Sequence, residues 1–230
     1  NILSALPLAK GKYIYLISPG DMIFDENAMK DFFDFAEKNH SLVCFGDYIP
    51  YNIQNGHIQV FEGVANPPAP SVFEKPHSFF EQKVYALLAG CILGPAFFRE
   101  KNYCVKYFTL TSQSSIYVED NTSIIFSLAE NIPIHHYGRH ICWYEQGAGI
   151  STGGGAEWSG KLKKDFTSTF ALAKERYPRD RVIDVAYRLR IGDVDNNSSI
   201  AIFLRRIKHP LVYLARLRHK KIPYSYTKCS

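Results

Sequence analysis

This sequence predicts an α/β layered fold with a mixed, largely parallel sheet flanked by helices, and three observations predict it. Short apolar runs rich in β-branched and aromatic residues, such as Lys12–Ser18 and Ser41–Phe45, have the length and make-up of buried strands. Stretches with apolar residues at helical spacing lie between them, as in 26–38. Proline and glycine punctuate the boundaries. Residues 1–155 read as one domain of this kind, and 156–230 as a helical, basic C-terminal extension.

Taken in order, Ile2–Ala9 carries a short apolar helical pattern that stops at Gly11. The strand Lys12–Ser18 follows, broken by Pro19-Gly20, with Asp21 in the turn. Met29, Phe32, Phe33 and Ala36 fall on one face of a helix over 26–38, opposite acids and lysines. After the strand Ser41–Phe45, Asn55-Gly56 marks a hairpin within 47–60. The proline-rich stretch 66–76 is a loop, 79–88 a short helix, and 91–98 a strand leading into a turn. Two adjacent carboxylates, Glu119 and Asp120, stand just ahead of an amphipathic helix over 122–130. The stretch 132–143 reads as strand and 147–160 as a Gly/Ser/Thr-rich loop. The stretch 161–190 is helical, and 200–221 is helical and basic, interrupted at Pro210.

The 230 residues suffice for one sizeable core, and 46% are hydrophobic with 21% charged, as in ordinary globular proteins. The net charge of +5 is unevenly placed. No acid follows Asp195, whereas Arg205, Arg206, Lys208, Arg216, Arg218, Lys220 and Lys221 do. Such a block favours an anionic surface. It lacks a nucleic-acid motif, while Ile200, Phe203, Leu204, Ile207, Leu211, Leu214 and Leu217 form an apolar stripe beside it. An anionic membrane surface therefore suits it better than nucleic acid, and packing on its own domain is the plain alternative. Cys44, Cys91, Cys104, Cys142 and Cys229 are odd in number and widely spaced, which points to reduced, buried thiols in a cytoplasmic protein. No signal peptide opens the chain and no apolar run is long enough to span a bilayer. The chain opens at Asn1 with a strand close behind, so an upstream segment is expected.

Three segments carry residues able to do chemistry. Ser18-Pro19-Gly20-Asp21 ends a buried strand, where open α/β sheets bind ligands. Asp21 there is either a ligand to a divalent cation bridging a diphosphate or the cap of the next turn. Glu119 and Asp120 are either dipole-friendly residues at a helix start or a general base and its support. The run from His140 to Gly155 has glycines that let backbone amides approach phosphate, and it also fits a flexible linker. His135-His136 has no acidic partner at metal-ligand spacing and reads as strand surface. The phosphate-cradling loop with its lysine and the serine nucleophile elbow are both absent.

In their order, these segments resemble the family 2 glycosyltransferases of bacterial surface-polysaccharide assembly. Residues 8–16 resemble the helix-then-strand approach to that family's acidic motif, and Ser18-Pro19-Gly20-Asp21 occupies the motif's place. Ser18 and Gly20 stand where the family has aspartates, leaving Asp21 as the motif's one carboxylate. Residues 90–100 resemble the acceptor-side strand with its arginine-bearing turn. Val118-Glu119-Asp120 resembles the acidic pair, and 143–152 the closing loop. The resemblance spans 1–152 and implies a GT-A fold that transfers a sugar with inversion from a nucleotide-diphosphate donor to a hydroxyl of a glycan or lipid-linked acceptor. It implies Asp120 as catalytic base with Glu119 beside it. It also implies Asp21 and Ser18 on the donor side, with Asp21 toward a divalent metal (Mn or Mg). The opening strands that hold the nucleotide in that family are not in the chain. A non-catalytic module of the same fold, binding a partner protein or glycan, is the alternative. The resemblance places the protein in the cytoplasm, peripheral at the inner membrane face.

Overall fold

The computed structural model describes residues 2–60, 82, 83, 87, 97–112, 119–147 and 155–191, with the backbone alone for 97, 119–123, 155–159 and 189–191. The expected basic helices at 200–221, the loop at 66–76, Cys91 and Cys229 lie outside them.

The described elements are, in order, α1 (Ile2–Ala5), β1 (Tyr13–Tyr15), β2 (Met22–Ile23), α2 (Ala28–Lys38), β3 (Val43–Gln54), β4 (His57–Val60), β5 (Phe97–Glu100), α3 (Lys101–Thr111), α4 (Glu119–Ala129), β6 (His135–Glu145), α5 (Gly155–Arg176) and α6 (Arg181–Ile191). The fold is mixed α/β. Its sheet runs β1-β5-β3-β6-β2, with β4 paired to β3. The longest pairing, β3 with β6, is parallel, and the other four described pairings are antiparallel. Strands β1, β3 and β6 therefore share one direction, and β5 lies reversed between β1 and β3.

The sequence turns the two faces of β3 to different cores. Val43 and Phe45 face a cluster with Tyr103 and Tyr107 of α3, Ile124 to Leu128 of α4, Phe170 and Ala173 of α5, and Val182, Ile183 and Ala186 of α6. Cys44 and Tyr48 face α2, where Phe32 and Ala36 pack with Phe98, Ile141 and Cys142. This alternation is the period of a strand covered on both sides. α5 starts at Gly155, and both α5 and α6 share the first cluster with the sheet.

Several elements differ from the sequence expectations, each for a physical reason. The strand expected over Lys12–Ser18 is three residues long and half-buried, because β1 pairs with β5 alone and edges the described sheet. The strand and hairpin arm expected after Ser41 are one strand, Val43–Gln54, which Gly46 lets pass β6 closely. A Cβ at 46 would lie 2.7 Å from Ile141 Cγ2. Asn55 and Gly56 turn the hairpin with φ of 52° and 77°, as a two-residue primed turn requires. Phe33 sits at the margin of α2's apolar face, edge-on to Tyr13 at 5.5 Å, while Ala28, Phe32 and Ala36 are buried. Helix α5 starts inside the expected 147–160 loop, and the helical stretch after it breaks at Pro178. Asp180 then caps α6, accepting from the amides of Val182 at 2.9 Å and Ile183 at 3.1 Å. Arg99, expected in a turn, is a buried β5 residue, its guanidinium 5.7 Å from the Phe108 ring centre.

The histidine pair also departs from expectation, since His136 is 6% exposed rather than on the strand surface. Its Nε2 lies 2.9 Å from Oδ1 of buried Asp47, and His135 Nδ1 lies 2.7 Å from Ser41 Oγ. Neighbouring residues on a strand face opposite ways, and each found a partner roughly ninety positions away, far beyond any local spacing rule. Removing one side of a buried polar pair strands the other. Asp47→Ala is expected to lose about 2 kcal/mol in urea denaturation, and Asp47→Asn, which keeps an acceptor, less than half of that.

Candidate functional site

Residues 16–21 connect β1 to β2, which stand at opposite ends of the sheet order. Four strand spacings amount to about 19 Å on a flat sheet, and seven residue steps reach about 24 Å. The segment therefore has almost no slack and has to run across the sheet rather than fold into a helix. Its last residues meet β3 and β6 near their carboxyl ends. The Tyr51 hydroxyl donates to the Gly20 carbonyl. The Glu145 amide donates to Asp21 Oδ1 at 3.0 Å, and the Asp21 amide to the Ser18 carbonyl at 3.0 Å.

Gly20 is required twice over. Its φ of 93° is open to glycine, and a Cβ there would lie 1.8 Å from Glu145 Oε2. The Glu145 carboxylate thus rests where a side chain at position 20 would be. Asp21 is half-buried, and its Oδ2 is a buried atom with no hydrogen-bond partner among the described residues. Burial pushes the Asp21 carboxyl above its usual range, and the nearby Glu145 carboxylate adds to this. The Glu145 and Ser18 backbone amides oppose the shift in part. Burial likewise raises the Tyr51 and Tyr15 phenols. Cys142 beside Tyr15 is pushed up to about 12, so this thiol is no nucleophile.

The structure brings Ser18, Gly20 and Asp21 together with Glu145 and Tyr51. Ser18 takes part through its carbonyl, and its residue is exposed. Glu119 and Asp120 open α4 as its first two residues, instead of standing ahead of the helix. Carboxylates are favoured in a first helical turn by the dipole. Their side chains lie outside the described residues. Glu145 was not singled out by the sequence reading. Its available signal was a carboxylate ending a strand just before a glycine turn.

Among the described residues no group of three or more His, Cys, Asp or Glu is placed to hold a metal ion. Asp21 and Glu145 offer two carboxylates, one already bonded to a backbone amide. A hard cation takes six or more oxygens, so these residues alone do not fit a divalent-metal site. Among the described residues no helix is long and apolar enough to cross a membrane.

No family model matches the chain, and no curated protein matches it. Among solved structures it is similar to S. aureus TarS 1–349, at 13% identity and a TM-score of 0.46. That likeness covers 92% of this chain and 56% of the other, so the chain spans about half that structure's length. The mixed α/β architecture rests on the sheet and helices described above.

Gly20→Ala is expected to destabilise the fold by about 2 kcal/mol or more, read as a lower midpoint in urea, since strained backbone and collision with Glu145 add. Asp21→Asn is expected to melt at the same temperature as the parent or higher at pH 7. The folded carboxyl's pKa is raised, so the folded state binds its proton more readily than the unfolded one. Stability from this group is greatest at low pH and falls as pH rises through the folded value. The advantage of Asp21→Asn should therefore shrink as pH drops toward about 4, the ordinary aspartate value. Differential scanning fluorimetry across pH gives the answer.

Proposed function

We propose that this chain is part of an inverting glycosyltransferase. It would move a sugar from a nucleotide-diphosphate donor to a hydroxyl of a glycan or lipid-linked acceptor in cell-surface polysaccharide assembly. The observation that carries the reading is the placement of Asp21. The 16–21 crossing sets this carboxylate near the carboxyl ends of β3 and β6, with one buried oxygen that has no hydrogen-bond partner among the described residues. Open α/β sheets bind ligands at that edge. The order of segments, with an acidic pair opening α4, supports the same reading.

In this proposal Asp120 takes the proton from the acceptor hydroxyl as its oxygen attacks the anomeric carbon. The bond from that carbon to the diphosphate breaks on the opposite face, and the nucleotide leaves with the electron pair. Glu119 supports the loop ahead of α4. Asp21 is a donor-side residue, its free oxygen accepting a donor hydroxyl, with Ser18 beside it. Burial and the Glu145 carboxylate, which raise the Asp21 pKa, favour a hydroxyl partner over a bare phosphate.

A non-catalytic glycan- or protein-binding module is the second reading, favoured by one observation. The Glu145 carboxylate fills the space above Gly20, where the resembled family has an aspartate. The two readings separate on turnover. Asp120→Asn in the full chain, with folding checked by circular dichroism, is expected to lose at least about a hundredfold in nucleoside-diphosphate release from a nucleotide-sugar panel. Glu119→Gln should lose less. Near-parental activity of Asp120→Asn sinks the assignment, and no turnover by the parent with any donor favours the module.

A further inference from the structure

A second concavity lies beyond β2, away from Asp21. It is a cleft of about 310 Å³ between the start of α2 and the bulged stretch of β6, lined by Phe24, Asp25, Asp31, Tyr137, Arg139 and His140. The sequence builds it on purpose-made irregularities. In β6, Tyr137 pairs with Gly46 but the next partner, Asp47, faces His140, so Gly138 and Arg139 bulge out of the ladder. Phe24 is tied to the same strand, its amide donating to the Ile141 carbonyl at 3.0 Å. The Trp143 indole donates back to the Phe24 carbonyl at 3.3 Å. The Phe24 ring lies 5.2 Å from His140, and these two with Tyr137 are the rings that line the cleft; Phe24 also lies 5.7 Å from Trp143, outside the lining.

Polar groups ring this aromatic wall. Asp25 is fixed by capping α2, accepting from the amides of Asn27 and Ala28 at 2.8 Å each. Asp31 and Arg139 stand 3.8 Å apart, a loose pair with the arginine side chain 74% exposed. Both therefore remain available to a ligand at little cost. Burial lowers the His140 pKa, which holds the imidazole toward its neutral form. Two carboxylates against one guanidinium leave the rim net negative, which repels phosphate.

We infer that this cleft binds one neutral pyranose unit of a glycan, separately from the Asp21 site. A pyranose presents hydroxyls that both donate and accept around an apolar C–H face. Fixed carboxylate acceptors, a guanidinium donor and ring faces match each part of it. The volume sits at the small end of the range for ligand sites, about 300–1,000 Å³, which suits a single unit.

The test needs neither donor nor turnover, so its failure leaves the Asp120 assignment untouched, and the reverse. The isotope-labelled full chain is titrated with the methyl glycosides of glucose, galactose and N-acetylglucosamine, with maltotriose, and with inorganic pyrophosphate. At least one sugar is expected to shift the backbone amide signals of Gly138 and Arg139, with Kd on the order of 1 mM. Arg139→Ala, a surface change that spares the fold, should weaken it about tenfold, the effect of one lost charged hydrogen bond. Phe24→Leu should abolish it. Tighter binding of maltotriose identifies a chain as the occupant, and equal binding a lone unit; both support the inference. No shift with any sugar, equal shifts with pyrophosphate, or parental affinity in Arg139→Ala overturns it.

Discussion

The six residues between β1 and β2 are the constraint on which the candidate site depends. They leave one edge of the sheet order and rejoin at the other, with scarcely enough length to do so. So short a connection has few conformations, and Asp21 is placed by the 18–21 turn and the bonds to Tyr51 and Glu145. Gly20 is the pivot of the arrangement. Its missing side chain admits the Glu145 carboxylate, and its positive φ turns the chain toward β2. Substituting an acid there to restore the resembled motif would meet both a steric and an electrostatic barrier. The departure at position 20 is thus tied to the presence of Glu145, and the two have to be read as one feature.

A second constraint works inside the sheet. The parallel pairing of β3 and β6 shifts register on either side of Asp47. Gly46 permits the close approach of Ile141, and Asp47 and His136 satisfy each other where the ladder is broken. The same irregularity that would leave backbone and side-chain groups stranded is also what opens the cleft at Gly138 and Arg139. Bulges that re-aim side chains are common beside functional sites for this reason.

Much of the architecture was legible in local pattern. The α2 helix, the Asn55-Gly56 turn and the presence of a helix at the acidic pair all rest on short-range periodicity or turn chemistry, and these elements are found, with shifted boundaries for that helix and for the strand before the turn. What the sequence concealed is long-range. That β1 edges the sheet among the described residues follows from its one partner there, β5, more than eighty residues on. That His136 is buried follows from Asp47. That Gly20 faces a carboxylate follows from the meeting of two segments separated by most of the described chain. In the same way the acid at 145 reads as ordinary strand-end polarity until its neighbour is known. Residue type and spacing singled out Asp21, but not the company it keeps.

The distance along the chain between β3 and β6 carries its own consequence. Their register joins positions roughly ninety residues apart, and closing so long a loop is entropically unfavourable until the helices between have begun to pack. Parallel pairings of this kind form late and slowly. Tyr51 and Glu145 come together only through that pairing, and the crossing segment has nothing to rest on before it. The edge around Asp21 is therefore expected among the last parts of the molecule to form during folding. A ligand that bound only this finished edge would stabilise the protein by an amount that grows with the logarithm of its concentration relative to Kd.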